Sequence, residues 1–120
     1  MIYKKSWKYI LIKNSRYYLL YRIKALKNFS DVSKGDIGGY VSSYHNLSQS
    51  GNCWVYNNAT IRGSAQVTKN ACVYDYAVIC DYVRVTDNAK VSGQSLIYRY
   101  AIIFGNANIK NQTLTEGFYK

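Results

Sequence analysis

Basic and aromatic side chains alternate through the first 28 residues of the chain. This segment holds eight lysines and arginines and no acidic residue, and the whole chain carries a net charge of +10. Cations contact phosphates and aromatic rings stack on bases, so the pattern predicts a surface for nucleic acid, a nucleotide or a nucleoprotein complex. The predicted contact residues are Lys4, Lys5, Lys8, Lys13, Arg16, Arg22, Lys24 and Lys27, with Trp7, Tyr9 and Tyr18.

The basic segment is also compatible with roles that involve no nucleic acid. Lysines serve solubility, tyrosines cover strand surfaces, and the same charge would attract an acidic protein or a membrane surface. The sequence shows no groove-reading helix and no base-specific motif. Contact with nucleic acid would therefore run mainly through phosphates and would weaken with salt.

Catalytic chemistry has few candidate groups in this sequence. His45 is the single histidine; it could act as a general base, but one histidine excludes a metal site built from several imidazoles. Asp75, Asp81 and Asp87 fall at expected corners, where Asp is favoured for turn chemistry alone. Three cysteines at irregular spacing predict reduced thiols instead of a disulfide framework. We therefore predict no catalytic residue, no metal and no cofactor.

A repeat of six residues organises the second half of the chain. Aliphatic residues recur at Val55, Ile61, Val67, Val73, Ile79, Val85, Val91, Ile97, Ile103 and Ile109. Two residues before each lies a small or compact side chain, and Asn, Gly and Asp gather in between. This alternation indicates very short strands separated by sharp corners. With three sides to a coil, residues 55–114 make about three coils of a β-helix.

The pattern resembles the transferase hexapeptide repeat of left-handed β-helix proteins, over half of the chain. The resemblance implies an all-β fold, a single-stranded left-handed parallel β-helix. It also implies an acyltransferase that works as a trimer, with a histidine base near a loop that interrupts the coils. Residues 55–114 contain no such loop, and His45 precedes them. Residues 17–59 are similar to an N-terminal module of uncharacterised bacterial and phage hexapeptide-repeat proteins, through the segments YRIKAL, GDIGGYV and NLSQSGNCWVY.

We expect one structural domain with three segments. They are a basic, tyrosine-rich capping module (1–50), the β-helix (51–114) and a C-terminal tail (115–120). Residues 8–13 and 17–26 are predicted as the strands of a hairpin within the cap. A helix over residues 18–28 is the alternative, because Leu, Arg, Lys and Ala favour helices. A cap is needed because the open end of a solenoid would expose a strand edge.

Stacking residues 18 apart predicts which side chains face outward. The most apolar face carries Val78, Leu96 and Leu114 in one column, with Tyr98 beside it. An exposed apolar column usually marks a packing surface, so these residues are predicted to form the interface of a homodimer or homotrimer. Cover by the N-terminal module or by the tail is the alternative.

These features together predict a non-catalytic binding protein, encoded by a phage or mobile element. Its partner would be nucleic acid, a nucleotide or a nucleoprotein complex, and the specific hypothesis is an anti-CRISPR-like inhibitor of a host defence system. A structural or scaffold oligomer is one alternative, and a hexapeptide acyltransferase with His45 as base is the other. The sequence shows no membrane span and no signal peptide, so we expect a cytoplasmic location.

Overall fold

The computed structural model describes residues 6–14 and 16–120, and the fold is all-β. A short 3₁₀ turn spans Tyr44–Asn46. Within the described residues, no helix has the length and apolar character needed to cross a membrane. The strands, in chain order, are β1 (Tyr9–Lys13), β2 (Tyr21–Ala25), β3 (Ile37–Val41), β4 (Trp54–Val55), β5 (Thr60–Ile61), β6 (Gln66–Val67), β7 (Cys72–Val73), β8 (Val78–Ile79), β9 (Arg84–Val85), β10 (Lys90–Ser92), β11 (Leu96–Ile97), β12 (Ile102–Ile103), β13 (Asn108–Lys110), β14 (Thr113–Leu114) and β15 (Phe118–Tyr119).

The short strands from β4 onward stack in parallel to form the three sides of a solenoid. One sheet contains β5, β8, β11 and β14, a second contains β4, β7, β10 and β13, and the third contains β6, β9, β12 and β15. Each strand pairs with the strand one coil later, so that Ile61 lies beside Ile79 and Ile79 beside Ile97. The predicted fold class is confirmed as a parallel β-solenoid, with about four turns.

The core is the inward column of aliphatic side chains that the repeat predicts. Ile61, Ile79 and Ile97 are fully buried, and so are the alanines two residues before the first two of them. Burying a branched aliphatic side chain stabilises a fold by roughly 1.5–3 kcal/mol. The small residue two positions earlier lets the chain turn close to the axis, where a longer side chain would find no room.

The aspartate carboxylates at the corners of the solenoid accept hydrogen bonds from the backbone. Asp75, Asp81 and Asp87 adopt positive φ angles of 58–64°. Each carboxylate accepts a hydrogen bond of 2.8 Å from the backbone N–H of the residue 18 positions later. These side chains therefore link one coil to the next, in agreement with a structural role for aspartate at turns.

The N-terminal hairpin extends one side of the solenoid. Strands β1 and β2 are antiparallel, with Tyr9 opposite Ala25, and β2 is antiparallel to β3. Strand β3 in turn lies parallel to β5, so a single seven-stranded sheet joins hairpin and solenoid. The predicted hairpin cap is confirmed, and the alternative helix over residues 18–28 is wrong, because β2 occupies the centre of that segment.

Stacking begins earlier than residue 51. Val41 lies beside Ile61, and Leu47 forms a parallel bridge with Val67. The six-residue rhythm is interrupted between Leu47 and Val55, where the chain uses eight residues to reach the next inward position. A strict period therefore misses the first coil, which accounts for the difference between about three predicted coils and four observed.

The last coil shifts the register and turns Leu114 inward. Leu114 pairs with Ile97, one residue short of a full coil, while Thr113 takes the outward place beside Leu96. Leu114 is half-buried against the core. Its predicted place in an outward oligomer interface is therefore wrong, because the side before it is one residue shorter than the repeat. The tail beyond it pairs through β15 with β12.

Candidate functional site

Lys8 and Tyr9 lie inside the protein. Lys8 is 1 % exposed, and its Nζ donates to the carbonyl of Cys53 at 2.7 Å and to that of Gly51 at 3.3 Å. Burial lowers the pKa of this ammonium group. The Tyr9 hydroxyl donates to the carbonyl of Leu47. Both side chains make interior contacts, so their predicted place on a binding surface is corrected by the structure.

Arg22 is also engaged within the protein. Its guanidinium donates to the carbonyl of Gly38 at 2.9 Å, to the hydroxyl of Tyr40 at 3.1 Å and to the carbonyl of Asn57 at 2.7 Å. The same group lies 4.4 Å from the centre of the Tyr40 ring. With these partners in place, Arg22 fastens β2 to the first coil instead of presenting its charge to a ligand.

The remaining predicted contact residues do not share one face. Lys13 pairs with Tyr21 in the hairpin and Lys24 pairs with Ile10, and these positions project to opposite faces because neighbouring strand residues alternate. Arg16, Tyr18 and Lys27 are exposed, and Trp7 is half-buried. Lys4 and Lys5 lie outside the described residues. The structure therefore does not gather the predicted cations from Lys8 onward into one surface.

A cleft of about 570 Å³ lies between the β1–β2 loop and the outer face of the sheet that contains β5. Its position follows from the hairpin, which continues that sheet and places its connecting loop above the solenoid wall. The side chains that line it are Arg16, Tyr17, Leu20, Tyr40, Asn58, Thr60, Arg62, Tyr76 and Val78. A smaller hollow shares Arg16, Tyr17, Leu20 and Arg62 and reaches Ser42. We call the two together the loop cleft.

The loop cleft is positively charged and rich in tyrosine. Arg16 and Arg62 are its charged residues, and no carboxylate of residues 6–14 or 16–120 lines it. Tyr17 packs edge-on against Tyr40 with ring centroids 5.1 Å apart. The Arg16 Nε donates to the Tyr17 hydroxyl at 2.9 Å. Two exposed cations beside aromatic rings can hold an anionic group that carries an aromatic ring.

His45 lies in the turn Tyr44–Asn46, three positions after Ser42, a residue of the loop cleft. Its backbone N–H donates to the Ser43 hydroxyl at 3.2 Å, and the residue is exposed. Asn46 fixes the turn: its Oδ1 accepts from the backbone N–H groups of Ser42 and Ser43, and its Nδ2 donates to the carbonyl of Ala65 at 2.8 Å. An exposed imidazole on an anchored turn can take a proton from a substrate.

Part of the chain is similar to a known protein. No protein-family model matches the chain. Over 53 residues the chain is 42% identical to a protein of Escherichia coli (strain K12), Uncharacterized acetyltransferase YdcK. The match covers 43% of this chain but 16% of the relative's length.

That relative is named an acetyltransferase. The finding overturns the expectation that the chain is not an enzyme, and it favours the alternative of an acyltransferase. The resemblance to hexapeptide-repeat proteins is supported by the same relative and by the solenoid fold.

The sequence-based prediction of a binding surface includes Arg16 of the cleft but misses most of the other lining residues, among them Arg62 and Tyr76. Both occur within the repeat, where an outward position looks like ordinary solvent-facing surface. The stacking of residues 18 apart does place Arg62 on the same outer face as Val78 and Leu96, and this placement indicates a cation beside the apolar column. Arg62 and Tyr76 lie near Arg16 because the hairpin loop packs over the solenoid wall, and the six-residue repeat does not predict where that loop lies.

Proposed function

We propose that this chain takes part in acyl transfer, with His45 as the general base. The observation that carries the proposal is the 42% identity over 53 residues to a protein named as an acetyltransferase. The β-solenoid fold is the architecture that the hexapeptide-repeat resemblance implies for such enzymes. The matched stretch spans 16% of that relative's length.

The chemistry asked of His45 is removal of one proton. An acceptor hydroxyl or amine attacks the carbonyl carbon of an acyl thioester, and the imidazole takes the proton that the acceptor loses. The bond between carbonyl carbon and sulfur then breaks, and the thiol leaves. The turn at Tyr44–Asn46 supports this role because it holds the backbone of His45 in place while its side chain stays open to solvent.

Replacement of His45 tests this role directly. The assay uses acetyl-coenzyme A as donor with a panel of small amines and hydroxyl compounds, and it follows release of the free thiol. Because general base catalysis contributes about 10²–10⁴-fold, we expect His45→Ala to lower the rate at least about 100-fold. Gln94→Ala, a change at an exposed corner of another coil, is the control and should keep the full rate.

Two results would remove the proposal. One is an absence of thiol release by the unaltered protein with every acceptor in the panel. The other is an equal rate for His45→Ala and the unaltered protein. Melting curves of both variants show whether a lost rate reflects chemistry or unfolding.

We further propose that the outward face around Leu96 joins copies of this chain into a dimer or trimer. Leu96 on β11 is 38% exposed, Val78 on β8 is half-buried, and both project outward from the same sheet. Tyr98, also half-buried, directly follows β11, and Val78 marks the border of this face with the loop cleft. Leu96→Asp should reduce the mass measured by light scattering to that of one 13.8 kDa chain, because a charge would be buried without a partner. Gln66→Asp on another face is the control, and an unchanged mass for Leu96→Asp would contradict this interface.

The predicted nucleic-acid and anti-CRISPR-like functions, and a phage origin, stay predictions from the charge pattern and the N-terminal resemblance. Neither the placement of the cations nor the relative adds support to them.

A further inference from the structure

We propose that the loop cleft binds a nucleoside phosphate, with Arg16 and Arg62 on the phosphate and Tyr76 against the base. This inference does not depend on acyl transfer, since it concerns residues of the cleft and not His45. It starts from the charge of the cleft. Lys69 and Asp87 form the only ion pair within residues 6–14 and 16–120. Neither cleft arginine is therefore paired with a carboxylate of these residues.

The hydrogen-bonding capacity of the two arginines is largely unused. Arg16 gives its Nε to the Tyr17 hydroxyl, and its terminal nitrogens have no acceptor among the described residues. Burial raises the pKa of the Cys80 thiol, and the charge of Arg62 and a hydrogen bond between the two side chains offset part of that rise, so one donor of Arg62 is directed at the sulfur and the others stay available. A guanidinium presents its N–H groups as a planar fork that matches phosphate oxygens. Two such forks in one cleft therefore suit a phosphate group.

The other end of the cleft offers an aromatic surface. Tyr76 is 63% exposed and lies at the corner that precedes β8, together with Asn58 at the stacked corner before β5. An exposed tyrosine ring is a platform for a nucleobase, and stacking of this kind is tolerant of base identity. The Asn58 amide supplies a donor and an acceptor for the edge of the base or for the sugar.

The dimensions favour one nucleotide over a strand of nucleic acid. From Asn58 to Arg62 the chain runs four residues along β5, which is about 13 Å in extended conformation. The volume of about 570 Å³ lies within the range usual for small-molecule sites. A long strand would need a continuing track of cations, whereas Lys13 and Lys24 project to opposite faces and Arg22 is held internally.

Calorimetric titration with matched probes tests the proposal. The probes are AMP, adenosine, inorganic phosphate and a ten-residue oligothymidylate, at roughly 50 mM and 500 mM salt, conditions that separate phosphate contacts from stacking. We expect AMP to bind at least about tenfold more tightly than adenosine or phosphate, because only AMP engages both ends of the cleft. Its affinity should fall at the higher salt concentration. His45→Ala should bind AMP as the unaltered protein does, which separates this proposal from acyl transfer.

Substitutions then locate the site. Arg62→Gln and Arg16→Gln should each weaken AMP binding at least about tenfold, and Tyr76→Leu about five- to tenfold. The controls are Arg84→Gln, an exposed arginine on β9, and Tyr82→Leu, an exposed tyrosine at the next corner; neither lines the cleft. Unchanged AMP affinity in both cleft-arginine variants would overturn the proposal. So would binding of the oligothymidylate without binding of AMP.

Amide chemical shifts of the unaltered protein give a measurement that does not rely on any variant's folding. Addition of AMP should move the signals of residues 16–20 and 58–62, which border the cleft. Shifts confined to other parts of the chain, or no shifts at millimolar AMP, would place the ligand elsewhere or remove it.

Discussion

Ile103→Ala is expected to lower the free energy of unfolding by about 3–4 kcal/mol, within the range for truncating a large core side chain. Ile103 is fully buried between Val85 and Tyr119 in its sheet. The loss combines the transfer energy of the deleted carbons with the cavity they leave, which a rigid stack of coils cannot close. Urea denaturation followed by circular dichroism measures it.

The neighbouring residue provides a matched control. Ile102 is the same residue type as Ile103 and lies on the same strand, β12, but its side chain projects outward and is half-buried. We expect Ile102→Ala to lower the free energy of unfolding by about 1 kcal/mol or less. Ile102 buries less apolar surface on folding than Ile103 does, and its truncation leaves no internal cavity. Equal losses for the two isoleucines would contradict the inward phase of the six-residue repeat, on which the whole solenoid depends.

The inward phase was accessible from the sequence because it rests on a local rule repeated ten times. Each coil needs an aliphatic residue every six positions, and each corner needs a residue that tolerates positive φ, as at Asp81 and Gly105. The rule failed where the chain departs from it. Val55 follows Leu47 by eight positions and Leu114 follows Ile109 by five, so a strict six-residue period misses the first coil and places Leu114 on the wrong side.

The site was less predictable, because the number of charges in a segment does not show which cations become buried when the chain folds and which stay exposed. Lys8, Arg22 and Lys24 lie within one basic segment and looked equivalent. In the folded chain the first is buried, the second binds two backbone carbonyls, and the third is exposed. What separates them is the packing of the hairpin against the first coil, a long-range contact with no periodic trace in the sequence.

Lys8→Met is expected to destabilise the fold by about 2 kcal/mol or more, because Lys8 caps the open edge of one solenoid side. Strand β4 is the edge of its sheet. Cys53 directly precedes β4, and its carbonyl accepts a hydrogen bond of 2.7 Å from the Lys8 ammonium. Methionine fills a similar volume but donates no hydrogen bond. The carbonyls of Cys53 and Gly51 would then lose a donor, at about 1–3 kcal/mol for each that stays buried and unsatisfied, offset in part by removing a desolvated charge.

Lys24→Met is the matched control, since Lys24 is exposed on β2 and its loss should change stability by about 0.5 kcal/mol or less. Urea denaturation at several pH values adds a second signature. Burial lowers the pKa of Lys8 from 10.5, so between that lowered value and 10.5 the unfolded chain binds more protons than the folded one. Stability supplied by Lys8 therefore rises with pH across this window. The deficit of Lys8→Met should grow between pH 7 and pH 10.5, whereas a deficit no larger than that of Lys24→Met at either pH would show that the edge carbonyls do not need the lysine.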